Sequence, residues 1–320
     1  MRLVDGAAVD AMSVAACGPM DDTLRVNHVQ AKGTHNSYHV QPTIVLHPSH
    51  GYSHVPLDEQ LEVQGVRAFE LDIHKNDATS DELSVYHIAV IDAQTTCNAF
   101  TDCLATIKAW SDANPCHVPI SIWIEPKDSA GGFPLGDLSK VDTAVNSVFP
   151  PSQLLTPDDV RGSHATLRDA LTTDGWPTLA AARGKVMFML LDGGGFRQDY
   201  TYDHTTLAGR VMFVHAGAGD FNESWAGVAK INNPGSSDIA AAQTANILVA
   251  SNVCGADQSD ESCSSNLAAG FTNGVHMLKD DIPWPVSGRD YFSDLADGNP
   301  ARCNPVTAPV GCTSVAIEDL

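Results

Sequence analysis

A chain of 320 residues, 43% hydrophobic and 18% charged, has the composition of a folded globular protein and is long enough for one large domain. Its 18 Lys and Arg residues against 39 Asp and Glu residues give a formal net charge of −21. This charge argues against a nucleic-acid partner, because such binding depends on clustered Lys and Arg, and it disfavours tight adhesion to anionic membranes.

The first 24 residues differ from the rest of the chain. Small apolar residues dominate this stretch up to Cys17, but Asp5 and Asp10 interrupt them and the basic residue there is Arg2. A secretory signal normally has an uninterrupted apolar region after its basic residues. We interpret residues 1–24 as an N-terminal segment, either the remnant of a signal or a loose piece of chain.

Strand-like and helix-like segments alternate along the remaining residues. The predicted strands are 26–33, 66–73, 83–87, 118–125, 185–191, 211–215, 246–251 and 274–278, and the helical patterns are 56–61, 100–110, 138–148, 167–171 and 179–182. Alternation of this kind indicates a parallel sheet, and eight strands indicate a closed (β/α)8 TIM barrel of the α/β class. Residues 25–320 are therefore predicted to form a single barrel domain.

The predicted barrel is irregular. Only about ten residues separate the second and third strands, which is too few for a crossover helix. Residues 192–210 and 216–245 are rich in Gly, Asp and Asn and are predicted to be long loops. The apolar runs 118–124 and 186–191 are far shorter than the ~20 residues that span a bilayer, so no transmembrane helix is predicted.

The second predicted strand alternates apolar and acidic side chains. Phe69, Leu71 and Ile73 share one parity, and Glu70 and Asp72 share the other. Because neighbouring side chains of a strand point to opposite faces, the apolar set is expected under the outer helices and the acidic set inside the barrel. Two carboxylates in a barrel interior need a cation or hydrogen bonds to satisfy them.

Candidate catalytic residues fall at or just past predicted strand ends, which is where barrel enzymes carry their active sites. His35 follows the first strand and His87 ends the third, so one imidazole can take a proton while the other gives one. His74 has the inward parity of the second strand and is a rival to His87 as the acid.

Hard oxygen ligands for a divalent cation fall at the same strand ends. Glu70, Asp72 and Glu125 supply carboxylates, and Asn36 supplies an amide oxygen. Such a set suits Ca²⁺, or less well Mg²⁺, rather than a softer metal. Together with two imidazoles, it indicates metal-assisted cleavage of a phosphodiester.

Two lysines are candidates for contact with a phosphate. Lys127 lies two residues after Glu125 and so shares its face of the strand. Lys279 follows the last predicted strand and is the weaker candidate.

The order and spacing of these motifs resemble the calcium-dependent phosphoinositide-specific phospholipase C family, in particular its bacterial secreted branch. The matching segments are 34–38, 67–72, 85–87, 92–97 with 103–104, and 124–127. The resemblance covers about residues 26–130, and beyond them only the spacing of the predicted strands is similar. It implies a phosphodiesterase TIM barrel that acts on phosphatidylinositol or a related inositol phosphodiester.

The resemblance also implies a role for each site residue. His35 would be the general base on the inositol 2-hydroxyl, and His87 the general acid on the diacylglycerol oxygen. Calcium would be held by Asn36 together with the three carboxylates, which are Glu70, Asp72 and Glu125. The products would be a cyclic inositol phosphate and diacylglycerol.

Two alternative functions stay open. One is a glycerophosphodiester phosphodiesterase or a sphingomyelinase D-like enzyme, since those barrels share the two histidines and the Glu-x-Asp pair. The other is an inactive barrel that only binds a lipid headgroup or calcium. Asn36, the following Ser37 and Tyr38, and the strand end at 125–127 favour the inositol branch.

Cysteine usage predicts the compartment. The chain has eight cysteines, and close pairs such as Cys254/Cys263 and Cys303/Cys312 indicate short disulfide-closed loops. We therefore expect a secreted or periplasmic protein. We also expect a monomer, a phospholipid or soluble phosphodiester as substrate, and transient contact with a membrane surface.

Overall fold

The structure is a computed structural model that describes residues 17–75, 82–127, 136–295 and 300–318. Most of the predicted N-terminal segment, residues 1–16, lies outside the described residues. In the described part of the chain, no helix is long and apolar enough to cross a membrane.

Eight mostly parallel strands form a nearly closed barrel. Within the described ranges, the strands are Val29–Thr34 (β1), Ala68–Lys75 (β2), Leu83–Val85 (β3), Ile120–Pro126 (β4), Val186–Leu190 (β5), Met212–Val214 (β6), Val228–Lys230 (β7), Leu248–Cys254 (β8), Met277–Asp280 (β9) and Ala301–Cys303 (β10). The hydrogen-bonded order is β6-β5-β4-β2-β1-β9-β8-β7. A parallel bridge between His215 and Val228 brings the two ends of this order together. The predicted TIM barrel is therefore confirmed.

Short helices connect the strands. Among the described residues they are Leu57–Glu62 (α1), Phe100–Ala113 (α2), Leu138–Val148 (α3), Pro157–Arg161 (α4), Leu167–Thr173 (α5), Leu179–Ala182 (α6), Gly195–Tyr200 (α7), Asp238–Thr244 (α8) and Asp260–Thr272 (α9). Several begin at side-chain caps: Thr156 accepts from the Asp159 amide at α4, and Thr166 accepts from the Asp169 amide at α5. Such caps satisfy backbone donors that a helix leaves unpaired at its start.

Three sequence-based assignments were wrong, and one of them is the predicted loop 192–210, which contains α7. The predicted third barrel strand, 83–87, contains β3, which pairs antiparallel with β2 and lies off the main path of the sheet. The predicted loop 216–245 contains both β7 and α8. The short gap after β2 is explained by this hairpin, because an antiparallel partner needs no crossover helix.

The alternation in β2 has the predicted consequence for packing. Phe69, Leu71 and Ile73 are fully buried in the apolar core. Glu70 contacts the ammonium groups of Lys230 on β7 and Lys279 on β9. Strands β2 and β7 are not neighbours in the sheet, so only the barrel interior can bring these side chains together.

Four disulfides use all eight cysteines. They join Cys17–Cys116, Cys97–Cys103, Cys254–Cys263 and Cys303–Cys312, and no described cysteine is free. The two short loops expected from the sequence are present. The Cys17–Cys116 bond and the ion pair between Arg183 and Asp21 hold the first described residues against the barrel.

Candidate active site

The turn after β1 is built to place His35 and Asn36 at the carboxyl end of the barrel. A Cβ on Gly33 would lie 3.0 Å from the Ala68 Cβ, so glycine permits the close approach of β1 and β2. Asn36 adopts a φ of 44°, a left-handed conformation that asparagine tolerates better than most residues. Two hydrogen bonds then join Ser37 to the backbone of Glu70. The Ser37 amide donates to the Glu70 carbonyl, and the Ser37 hydroxyl accepts from the Glu70 amide.

His35 lies between two carboxylates. Its Nδ1 is 2.9 Å from Asp281 Oδ1, and its Nε2 is 3.7 Å from Glu70 Oε1. Burial opposes ionisation of Asp281, but His35 and the Ala256 amide outweigh it and lower the Asp281 pKa. An ionised Asp281 accepts a hydrogen bond from Nδ1–H, so Nε2 is the nitrogen left free to act as a base.

His87 has a carboxylate partner of its own. Its Nδ1 is 2.6 Å from Asp92 Oδ2, and Asp92 is fully buried. A tight loop joins the pair, because the Ile88 amide donates to the Asp92 carbonyl and the Asp92 amide donates back. Burial lowers the pKa of His87, and the hydrogen bond to Asp92 opposes that shift.

Both histidines open onto one cavity of about 270 Å³. Asn36 and Asp281 also line it, beside His35 and His87. The remaining wall is polar; it includes Asn232, Asn252, Asp257 and Gln258. The structure therefore brings together two imidazoles, each on its own carboxylate, around a space that can hold a polar headgroup.

The three predicted acidic ligands form a compact cluster. Glu70, Asp72 and Glu125 each offer an oxygen within 4.8 Å of the others. Asp72 is fully buried, and its carboxylate contacts Lys127 Nζ at 3.0 Å but accepts no hydrogen bond of good geometry from the described residues. Burial raises the Asp72 pKa to about 6, against the opposing effect of Lys127.

This donor set fits a hard divalent cation. Ca²⁺ binds oxygen ligands from carboxylates and amides, and three carboxylates gathered around a buried position need more positive charge than the single Lys127 contact of Asp72 provides. The amide of Asn36 lies at the neighbouring strand end and belongs to the cavity that His35 lines.

Three lysines balance the acidic cluster. Lys127 Nζ lies 2.7 Å from Glu125 Oε1 and 3.0 Å from Asp72 Oδ2. Lys230 Nζ lies 3.0 Å from Glu70 Oε2, and burial lowers its pKa to about 8. Lys279 also pairs with Glu70 and is fully buried. This burial against Glu70 disfavours the predicted contact of Lys279 with substrate, because its amine has no exposed face.

Several site residues were not identified from the sequence. They include Asp92, five residues after His87, and Asp281, which directly follows β9. Asp281 could have been found, because an acidic residue just past a strand end is a candidate for the active site. Lys230 was missed because its strand was assigned to a loop. His74, the rival acid, instead bonds the Tyr86 carbonyl at 2.8 Å and stacks on the Tyr86 ring.

Solved structures with this fold include two bacterial enzymes. The calcium-dependent phosphoinositol-specific phospholipase C from Pseudomonas sp. is 19% identical, with a TM-score of 0.61, covering 91% of this chain and 100% of that one. The Ca²⁺-dependent enzyme from Streptomyces antibioticus is 20% identical, with a TM-score of 0.61, covering 81% and 95%. At this identity the two structures show a shared fold.

The family is established by the sequence as a whole. A comparison with curated proteins finds no match. The profile of the family described as "Phosphoinositide phospholipase C, Ca2+-dependent" matches residues 24–82 and 75–305, most of the chain. The protein therefore belongs to the Ca²⁺-dependent phosphoinositide phospholipase C family and is a phosphodiester-cleaving enzyme of the phospholipase C type.

Proposed function

We propose that this enzyme cleaves phosphatidylinositol, or a related inositol phosphodiester, by attack of the inositol 2-hydroxyl on phosphorus. A bond forms between that oxygen and phosphorus while the bond to the diacylglycerol oxygen breaks. The products are a cyclic inositol phosphate and diacylglycerol. The main support is that His35 and His87 line one cavity, with the Glu70, Asp72 and Glu125 cluster in contact with His35.

His35 acts as the general base. Asp281 holds the proton on Nδ1, which leaves Nε2 to accept the proton of the 2-hydroxyl. The imidazolium that forms is stabilised by the Asp281 carboxylate at 2.9 Å. An imidazole is suited to this step because its ordinary pKa of about 6.5 lies near neutral pH.

His87 acts as the general acid and delivers its proton to the departing oxygen. The bond from Nδ1 to Asp92 orients the ring and leaves Nε2–H as the donor. Asp92 also favours the charged imidazolium that the acid role requires.

Asn36, Glu70, Asp72 and Glu125 would hold Ca²⁺. When bound, Ca²⁺ eases deprotonation of the attacking hydroxyl and offsets negative charge on the phosphoryl oxygens. Lys127 is proposed to contact the phosphate. Its amine contacts Asp72 and Glu125, two of the proposed Ca²⁺ ligands, and therefore lies close to the position of the ion.

The rim of the site supports contact with a membrane. Ile44, Leu46, Val90 and Ile91, here called the apolar rim, are 71%, 64%, 97% and 42% exposed and line one surface recess. Val90 projects from the loop between His87 and Asp92. Exposed apolar side chains beside a lipid-cleaving site can enter the headgroup region of a bilayer. The four disulfides support an extracytoplasmic location.

Turnover of phosphatidylinositol vesicles tests the proposal. The parent enzyme with Ca²⁺ is expected to form a cyclic inositol phosphate, detected by its phosphorus NMR resonance, and to stop when EGTA is added. His35→Ala and His87→Ala are each expected to lower kcat by about 100-fold or more. His164→Ala is the matched control, because His164 pairs with Asp174 outside the cavity.

The same assay separates the alternatives. Release of free choline or glycerol phosphate from other diesters, without cyclic inositol phosphate, would point to a glycerophosphodiesterase or sphingomyelinase D-like activity. Calcium binding without any turnover would point to an inactive binding barrel.

A further inference from the structure

A cluster of nitrogen ligands includes the proposed catalytic acid and shares no residue with the oxygen cluster. His39, His50 and His87 surround the carboxylate of Asp92, and this group is here called the histidine cluster. His39 Nε2 is 2.8 Å from Asp92 Oδ1, and His87 Nδ1 is 2.6 Å from Asp92 Oδ2. His50 Nδ1 lies 3.6 Å from Asp92 Oδ2.

Three members of the cluster are buried, the His87 side chain is 22% exposed, and the hydrogen bonds of the cluster do not use all of its ligand atoms. Asp92 is fully buried, His39 is 1% exposed and His50 is 9% exposed. His50 Nδ1 makes no hydrogen bond to the described residues, although it is buried and directed at Asp92. Orienting His87 needs only Asp92, so the acid role leaves His39 and His50 unexplained.

The geometry is close to that of a zinc site. Ligand atoms of His39, His87 and Asp92 lie within 4.8 Å of one another. Zn–N bonds of about 2.0–2.1 Å place tetrahedral ligands about 3.4 Å apart, so shifts of about 1 Å bring these three ligand atoms to the spacing of a zinc site. His50 Nδ1, 3.6 Å from Asp92 Oδ2, is the nitrogen available as a fourth ligand. Imidazole nitrogens with one carboxylate suit Zn²⁺, whereas the all-oxygen cluster suits Ca²⁺.

We propose that His39, His50, His87 and Asp92 form a second metal site that binds Zn²⁺ and blocks catalysis when it is filled. Zn²⁺ takes the place of the protons that His39 and His87 share with Asp92. The consequence for activity depends on the proposed role of His87, but the binding itself does not.

Occupancy of this site removes the acid. With Nδ1 of His87 bound to Zn²⁺, the ring keeps only the proton on Nε2, and loss of that proton would leave an imidazolate rather than a neutral imidazole. Such a ring is a much weaker acid than an imidazolium. A general acid contributes about 100- to 10,000-fold to a rate, so turnover is expected to fall at least tenfold when Zn²⁺ saturates the site.

Binding is tested on the full-length protein after removal of metal and addition of excess Ca²⁺ to fill the carboxylate cluster. Calorimetric titration is expected to give one Zn²⁺ per chain, and Co²⁺ is expected to give the visible absorption of a tetrahedral site. His50→Ala should weaken Zn²⁺ affinity at least tenfold. His50→Gln, which is closer in volume to histidine, should do the same, and this separates loss of a ligand from loss of packing.

His47→Ala is the matched control. His47 lies on the same loop but is exposed, and its Nδ1 contacts Ser49 rather than Asp92. Affinity for Zn²⁺ should be unchanged in this variant. In vesicle assays normalised to each variant's own rate without Zn²⁺, half-inhibition should shift at least tenfold for His50→Ala and not for His47→Ala.

Several outcomes would overturn the site. One is the absence of Zn²⁺ binding in the presence of Ca²⁺, and another is equal affinity for Zn²⁺ in the parent and both His50 variants. A third is relief of inhibition by added Ca²⁺, which would place the Zn²⁺ on the carboxylate cluster instead. The calorimetric and Co²⁺ measurements decide the question even if phosphatidylinositol is not the substrate.

Discussion

The interaction between His35 and Asp281 decides which nitrogen of the proposed base is free. In Asp281→Asn the side-chain amide can donate to Nδ1, which favours the tautomer that carries its proton on Nε2. That tautomer cannot accept a proton from the substrate, so kcat is expected to fall by about 100-fold or more. Vesicle kinetics at saturating Ca²⁺ measure the change.

Asp174→Asn is the control for this variant. It alters another carboxylate that contacts a histidine, His164, at 2.7 Å, but lies outside the cavity. Its kcat should match that of the parent. Retention of more than a tenth of the parent kcat by Asp281→Asn would contradict the orienting role.

His276 makes stability depend on pH. It is buried, accepts from the Val249 amide and bonds the Asn27 carbonyl, and burial lowers its pKa to about 4. The unfolded chain protonates this group near pH 6.5 while the folded state keeps it neutral. Its contribution to stability is therefore full above pH 6.5 and is lost as pH falls toward 4.

The His276→Gln variant removes this titration. Denaturant unfolding between pH 4 and 6.5 should show a slope of stability against pH that is flatter by about 1.4 kcal/mol per unit. Identical slopes for the parent and the variant would show that His276 has the same pKa in the folded and unfolded states, which would contradict the prediction.

The disulfides act at the scale of elements, because they close loops of very different length. Cys17–Cys116 spans 99 residues and ties the first described residues to the turn before β4, whereas Cys303–Cys312 spans 9. The cost of closing a loop in the unfolded chain grows with its length. Replacing Cys17 and Cys116 by serine should therefore lower stability by about 2 kcal/mol more than replacing the other pair. Denaturant unfolding of both double variants measures this difference.

Elements were predictable where their side-chain pattern was strong. The β2 and β4 segments are apolar runs with inward acids, and both were identified together with the parity of Glu70 and Asp72. The strand β7 was missed because only three residues, Val228–Lys230, pair with the barrel. Segment β3 was assigned to the barrel because a short apolar run does not reveal whether its partner is parallel.

At the scale of the whole molecule, the net charge of −21 opposes approach to an anionic bilayer. Added salt shortens the range of this repulsion to about 10 Å at 0.1 M. Turnover on phosphatidylinositol vesicles at saturating Ca²⁺ is therefore expected to rise with ionic strength. A monotonic fall across a salt series would contradict this prediction.

The apolar rim should offset part of that repulsion. Val90→Asp is expected to weaken binding to vesicles about tenfold, since burial of a valine side chain contributes about 1.5 kcal/mol or more. Sedimentation with vesicles measures the effect. Val310→Asp, which alters another fully exposed valine outside the rim, should bind like the parent. Equal losses in both variants would mean that added charge alone is responsible.

The sequence by itself determined the barrel, the acidic pair in β2 and the candidates at its strand ends. Alternation of side chains and the placement of polar residues after apolar runs are local properties, so a single chain displays them. The family resemblance rested on the same local motifs, at residues 34–38 and 67–72 above all.

Only the tertiary structure decided which charges meet. Asp281 reaches His35 across 246 positions of sequence, and Lys230 reaches Glu70 across 160. Closure of the barrel makes neighbours of residues on distant strands, and no local pattern encodes that distance. The same closure buries Lys279 against Glu70, although the sequence alone suggested a substrate contact for that lysine. His39 and His50 meet Asp92 because the loops after β1 and β3 pack against each other.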